Sequence, residues 1–84
     1  MPKGRVAILN DKRGMYAVEL SDGSYSVFEL LDINEINLGD FISGDLDDQG
    51  SCRLNNLTKN EEFDAIVQNT GLNAIMAQKR TMLV

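Results

Sequence analysis

The chain predicts an all-β domain: a small barrel of five or six strands with a short C-terminal helix. Apolar residues recur with period two in several short runs, which is the pattern of a half-buried strand. Turn signals built on Gly, Asp and Asn separate those runs about every 8 to 12 residues, as in small barrels and sandwiches. At 84 residues the chain is one domain. A domain of that size buries only about 60 to 65% of the surface its unfolded chain exposes, so its core is modest.

The elements follow in order. "GRVAILND" is an extended segment with Val6 and Ile8 expected on one side, and Lys12-Arg13-Gly14 turns the chain after it. In "MYAVELS", Tyr16, Val18 and Leu20 share the face expected to be buried, while Met15, Ala17 and Glu19 share the other. Asp22-Gly23 marks a hairpin, because Gly23 can take the left-handed conformation a tight turn demands. "SYSVFELL" supplies β-branched and aromatic residues for a third strand. "DINEIN" is expected as a helical turn or loop, with Ile33 and Ile36 three apart. "FISGDL" is a fourth strand, Cys52 to Leu54 a short fifth, and "FDAIVQN" the last, with Phe63, Ala65 and Val67 on one face. Thr70 is placed to cap a helix whose Leu72, Ile75 and Met76 fall on one side. The expected layout is a barrel over about residues 4–69, a helix over about 71–80, and a free tail "TMLV".

Composition limits the chemistry. The 43% apolar and 25% charged residues describe an ordinary globular domain. No apolar run approaches the roughly 18 residues of a membrane helix, and "MPKGR" leads straight into a strand, so the expected location is the cytoplasm. With one cysteine and no histidine, an internal disulfide, a thiolate zinc cluster and a Cys/His nucleophile are excluded. Cys52 is expected as a small apolar filler. Adjacent carboxylates such as Asp47 and Asp48, or Glu61 and Glu62, would point to opposite faces of a strand and could not share a substrate. No catalytic site and no cofactor are expected. Asp45, Asp47, Gln49 and Gly50 follow the opening spacing of a calcium loop, but Asn56 stands at the twelfth position where a bidentate glutamate is needed, so no metal site is assigned.

The net charge of −5 is unevenly spread. Residues 21–48 hold eight acids and no base, whereas Lys3, Arg5, Lys12 and Arg13 crowd the first 13 positions. An acidic chain is repelled by phosphate backbones at long range, so any nucleic-acid binding must rest on that N-terminal basic set.

Residues 4–31 resemble the first three strands of the oligonucleotide-binding (OB) fold as used by cold-shock and ribosomal S1-type domains. The matching positions are Gly4, Val6, Asn10, Gly14, Val18, Asp22, Gly23, Val27 and Phe28, with a weaker echo at "LGDFISGDL". The resemblance implies an OB-like barrel that binds single-stranded RNA or DNA by stacking bases on outward aromatic rings, each worth about 1–3 kcal/mol. Carried over residue by residue, most ring positions are vacant of rings: Ile8, Met15, Ala17, Leu30 and Leu31 occupy them, and only Phe28 is retained.

The family's parity would bury Glu29 as a lone carboxylate, a cost that favours the opposite face, with Phe28 and Leu30 inward and Val27 and Glu29 outward. Phe28 is then core in preference to a stacking ring, and Tyr25 becomes the best outward aromatic. Two functions fit. The first is a non-catalytic module for single-stranded RNA or DNA, using Lys3, Arg5, Lys12 and Arg13 as one positive end of the barrel, with Tyr25 and Phe28 as candidate rings. The second is a protein-interaction module. It would offer an acidic face, Asp32 to Asp48, to a basic partner, or Met15, Ala17, Val27 and Met82-Leu83-Val84 to an apolar one.

Overall fold

The computed structural model describes residues 2–82. Six strands, β1 (Lys3–Asn10), β2 (Met15–Leu20), β3 (Tyr25–Leu30), β4 (Phe41–Ser43), β5 (Gly50–Asn56) and β6 (Glu61–Leu72), precede one helix, α1 (Ala74–Met82). They form a closed barrel in the order β1-β2-β3-β6-β5-β4, with every neighbouring pair antiparallel and β4 closing on β1. Closure leaves no free sheet edge, which removes the pairing hazard of an open sheet. The strand directions give the barrel two distinct rims. One carries the β2–β3 turn, the β4–β5 connection and the start of α1. The other carries the β1–β2 turn, the β3–β4 connection, the β5–β6 turn and the end of α1.

The inner face repeats the period-two pattern of the sequence. Tyr16, Val18, Phe28, Leu54, Phe63, Ala65 and Val67 are buried in one cluster, against which Leu9, Leu20, Leu30 and Cys52 pack. Phe28 is fully buried, stacked on Tyr16 at 5.5 Å between ring centroids and tilted against Phe63 at 5.7 Å. Glu29 faces outward, where its carboxylate accepts a hydrogen bond from Gln68 Nε2 at 3.1 Å. Tyr16 donates its hydroxyl to Asp11 Oδ1 at 3.1 Å. Burial, that bond and the Asp11 charge push its phenol up to about 12.

Two side chains from the connections close the barrel like stoppers: Ile36 at the β5–β6 rim and Leu46 at the β2–β3 rim, both buried. The buried Ser26 hydroxyl donates to the Leu46 carbonyl at 2.6 Å and fixes the second stopper. Gly44 admits that loop to the barrel, since it sits at φ 140° and a Cβ there would meet Leu54 Cδ2 at 2.6 Å. Residues 31–40 form no helix, and Ile33 is 99% exposed while Ile36 is in the core, so the two isoleucines do not share a face.

Three expectations are corrected by bulges and by the helix. Val6 and Ile8 do not lie on one side: the register of β1 shifts between them, with Val6 opposite Val18 and Ile8 opposite Ala17. The extra residue reverses the inside-outside alternation, so Val6 faces the core and Ile8 the outer surface. The last strand runs on to Leu72, which pairs with Tyr25, and so takes Thr70 and Leu72 out of the helix. Asn73 caps α1 instead, accepting the Met76 amide at 2.8 Å. The helix buries Ala77 and Thr81, four apart, whereas Ile75 is 68% and Met76 37% exposed. Leu83 and Val84 lie outside the described residues.

Phe28→Ala should cost about 3–5 kcal/mol of stability, the usual range for an aromatic removed from a core, whereas Phe28→Leu should remain folded with a much smaller loss. Urea unfolding checks both; near-parent stability of Phe28→Ala would mean the ring is not core.

Candidate functional site

The outer surface of β1, β2 and β3 is where the sequence places a binding face, and it is occupied by the chain itself. Ala17, Val27 and Ala77 are each fully buried in a second cluster outside the barrel, with Ile8, Met15, Tyr25 and Leu72 packed around them. The small Ala17 and Ala77 let α1 lie close to the sheet. Asn10 Nδ2 ties the far end of the helix by donating to the Thr81 carbonyl at 3.1 Å. Met15, Ala17 and Val27 are therefore not an open apolar patch, and Tyr25 is half-buried against Leu72 and not presented as a free ring. Phe28, inside the barrel, reaches no ligand.

The four N-terminal bases do not form one positive end. Lys3 and Arg5 sit where β1 pairs with β4, beside the β2–β3 rim, whereas Lys12 and Arg13 lie in the β1–β2 turn at the opposite rim. The acids of residues 21–48 are divided in the same way. Asp22, Asp45, Asp47 and Asp48 belong to the β2–β3 rim, and Asp32 and Glu35 to the β5–β6 rim. Asp40 is withdrawn from the surface altogether, and no single acidic face runs from Asp32 to Asp48.

Apolar side chains are exposed on the outer side of α1, at Ile75, Met76 and Met82, and at the β5–β6 rim and the adjoining sheet. Phe41 and Leu57 are 47% and 50% exposed and adjacent, with the Leu57 amide donating to the Phe41 carbonyl at 2.7 Å. Arg5 pairs with Phe41 on one side and Glu19 on the other. The β3–β4 connection adds Leu31, Ile33 and Leu38, each more than half exposed, together with the carboxylates of Asp32 and Glu35. Across the rim stands Glu61, which accepts a bond from Asn34. Among the described residues Asp32, Glu35 and Glu61 make no ion pair.

That connection is held in place by a buried polar network. Asp40 Oδ2 accepts from Asn56 Nδ2 at 2.8 Å and from the Asn37 amide at 3.0 Å, and it pairs with Lys59 Nζ at 3.2 Å. Lys59 in turn donates to the Glu35 carbonyl at 2.7 Å and to Asn37 Oδ1. Burial alone would raise the Asp40 pKa. The bonds from Asn56 and Asn37 and the Lys59 charge outweigh it and hold the carboxyl below the ordinary range. No pattern in the sequence marks Asp40, Asn56 and Lys59 as partners, because they come from three elements and meet only when the barrel closes.

Cys52 is half-buried against the core, and burial with the nearby Asp45 and Asp48 charges pushes its thiol up, away from a reactive thiolate. Among the described residues no group of three or more His, Cys, Asp or Glu is placed to hold a metal ion. No helix there is long and apolar enough to cross a membrane.

No family model, curated protein or solved structure matches this chain. The closed antiparallel barrel is compatible with an OB-like fold.

Asp40 has its pKa lowered on folding, so its stabilising contribution is complete above the ordinary aspartate value near 3.9 and disappears as pH falls through the lowered value. Asp40→Asn should lose about 1.5–3 kcal/mol at neutral pH, the worth of hydrogen bonds to a charged group. Its stability should also fall less steeply than the parent's below pH ~4. Urea midpoints across that range test this, and parallel curves for the two proteins would contradict it.

Proposed function

We propose that this OB-like domain is a non-catalytic interaction module whose partner is a protein segment of basic and apolar character, taken at the β5–β6 rim. The observation that carries this reading is the division of the surface: α1 covers the β1–β3 face, while Phe41, Leu57, Leu38 and Ile33 are left in water. Phe41 and Leu57 are neighbours, and contiguous exposed apolar groups rimmed by charge are typical of protein-binding sites. The carboxylates of Asp32, Glu35 and Glu61, which make no ion pair among the described residues, would favour lysine or arginine in the incoming segment.

Single-stranded RNA or DNA is the weaker reading. Of the candidate rings, Phe28 is core and Tyr25 is half-buried, and Lys3 and Arg5 are a strand's length from Lys12 and Arg13. Without stacking, phosphate contacts alone must overcome a net charge of −5.

Selection from a displayed random-peptide library should enrich segments that mix Lys or Arg with apolar residues. Binding of those peptides should weaken about tenfold or more in Phe41→Asp and in Leu57→Asp, as expected for apolar anchors. Fluorescent single-stranded RNA or DNA without a terminal phosphate should not bind at about 50 mM salt, where phosphate contacts are strongest. Salt-dependent binding of those unphosphorylated strands, or selected peptides indifferent to both substitutions, would overturn the proposal.

A further inference from the structure

A second site lies at the same rim, where the end of α1 meets the β1–β2 turn. A cleft of about 310 Å³ is lined by Arg13, Met15, Glu29, Gln68, Asn69 and Arg80. Its two arginines come from elements 67 positions apart in sequence. The helix, anchored by the Asn10–Thr81 bond, brings them to one opening. Among the described residues neither guanidinium makes an ion pair or a side-chain hydrogen bond, although Glu29 shares the cleft. Glu29 is engaged by Gln68 Nε2 instead. Asp11, the acid beside Arg13 in the turn, is engaged by the Tyr16 hydroxyl.

The floor is shaped by an irregularity in the β3–β6 ladder. Val27 pairs with Asn69 but Phe28 with Val67, so Gln68 is an extra residue on β6. A bulge of this kind re-aims side chains and is common beside binding sites. Here Gln68 and Asn69 both line the cleft, with the Gln68 amide on Glu29. Lys12 and Lys79 neighbour Arg13 and Arg80 in the chain and add positive charge to the same rim.

We infer that this cleft binds a phosphoryl group that is joined to hydroxyl or amino donors, as in a sugar phosphate or a nucleotide. Two unpaired guanidiniums suit a dianion, which each can grip with a planar pair of N–H donors. The Glu29 carboxylate repels a bare anion but accepts from a donor on the remainder of the ligand, and the Asn69 amide can pair with the same group. Met15 provides an apolar surface on which that remainder rests. The volume stands at the small end of ligand sites, about 300–1,000 Å³, and fits one phosphorylated unit and not a run of nucleotides.

The site is tested by amide-resolved NMR titration at constant ionic strength with inorganic phosphate, a ribonucleoside monophosphate, and an oligonucleotide with and without a 5′-phosphate. Shifts should concentrate at Arg13, Gln68, Asn69 and Arg80. The monophosphate should bind about tenfold or more weakly in Arg13→Gln and in Arg80→Gln, each of which removes a charge-assisted contact. Glu29→Gln should strengthen inorganic phosphate and weaken the ribonucleoside monophosphate, a split that general surface electrostatics would not produce. A response to the free monophosphate assigns a small-molecule ligand, and one confined to the phosphorylated oligonucleotide assigns a strand end. Absence of shifts, shifts spread equally over Lys3 and Arg5, or no effect of the substitutions in variants whose spectra remain folded would overturn the inference.

Discussion

The packing of α1 on the outside of the barrel is the contact on which the rest of the surface depends. It rests on three small or branched side chains, Ala77 on the helix and Ala17 and Val27 on the sheet, none of which retains any exposure. A barrel of this size has too little interior for every apolar residue in its strands. Burying both sides of β1–β3 creates a second core and uses residues that would otherwise be exposed apolar surface. The β1 bulge is part of this arrangement, since it moves Ile8 from the first core to the second.

Two features of the surface meet at the rim where the helix ends. Phe41, Leu57 and the β3–β4 connection remain exposed there, and the Asp40–Asn56–Lys59 network holds the connection in place. The same helix carries Arg80 to Arg13 and completes a polar cleft. A single docking event thus closes one surface and creates another, while the barrel serves as the rigid frame for both.

Much of the barrel was legible in the sequence because its strands obey simple alternation. Tyr16 and Val18, and Phe63, Ala65 and Val67, are inward as their spacing requires, and Gly23 takes φ 86° in the Asp22-Gly23 turn. The high cost of burying a lone carboxylate was enough to orient β3 correctly around Glu29. What could not be read involved one-residue insertions and long-range meetings. The extra residue between Val6 and Ile8 has no compositional mark, and it reverses every later position on the strand. The helix face was misassigned because large apolar residues stood out, whereas the close approach to the sheet selects Ala77 and Thr81 and leaves Ile75 in water. Lys3, Arg5, Lys12 and Arg13 are close in sequence, but an eight-residue strand holds the pairs apart.

Occupation of the β1–β3 face by the chain's own helix is read out by methyl-resolved NOE spectroscopy of the protein alone in dilute solution. Cross-peaks from the Ala77 methyl to both the Ala17 and Val27 methyls are expected, with intensities comparable to those between Val18 and Phe28 inside the barrel. Intact barrel cross-peaks with no contact from Ala77 to Ala17 or Val27 would mean that the helix is undocked and that face is open to solvent.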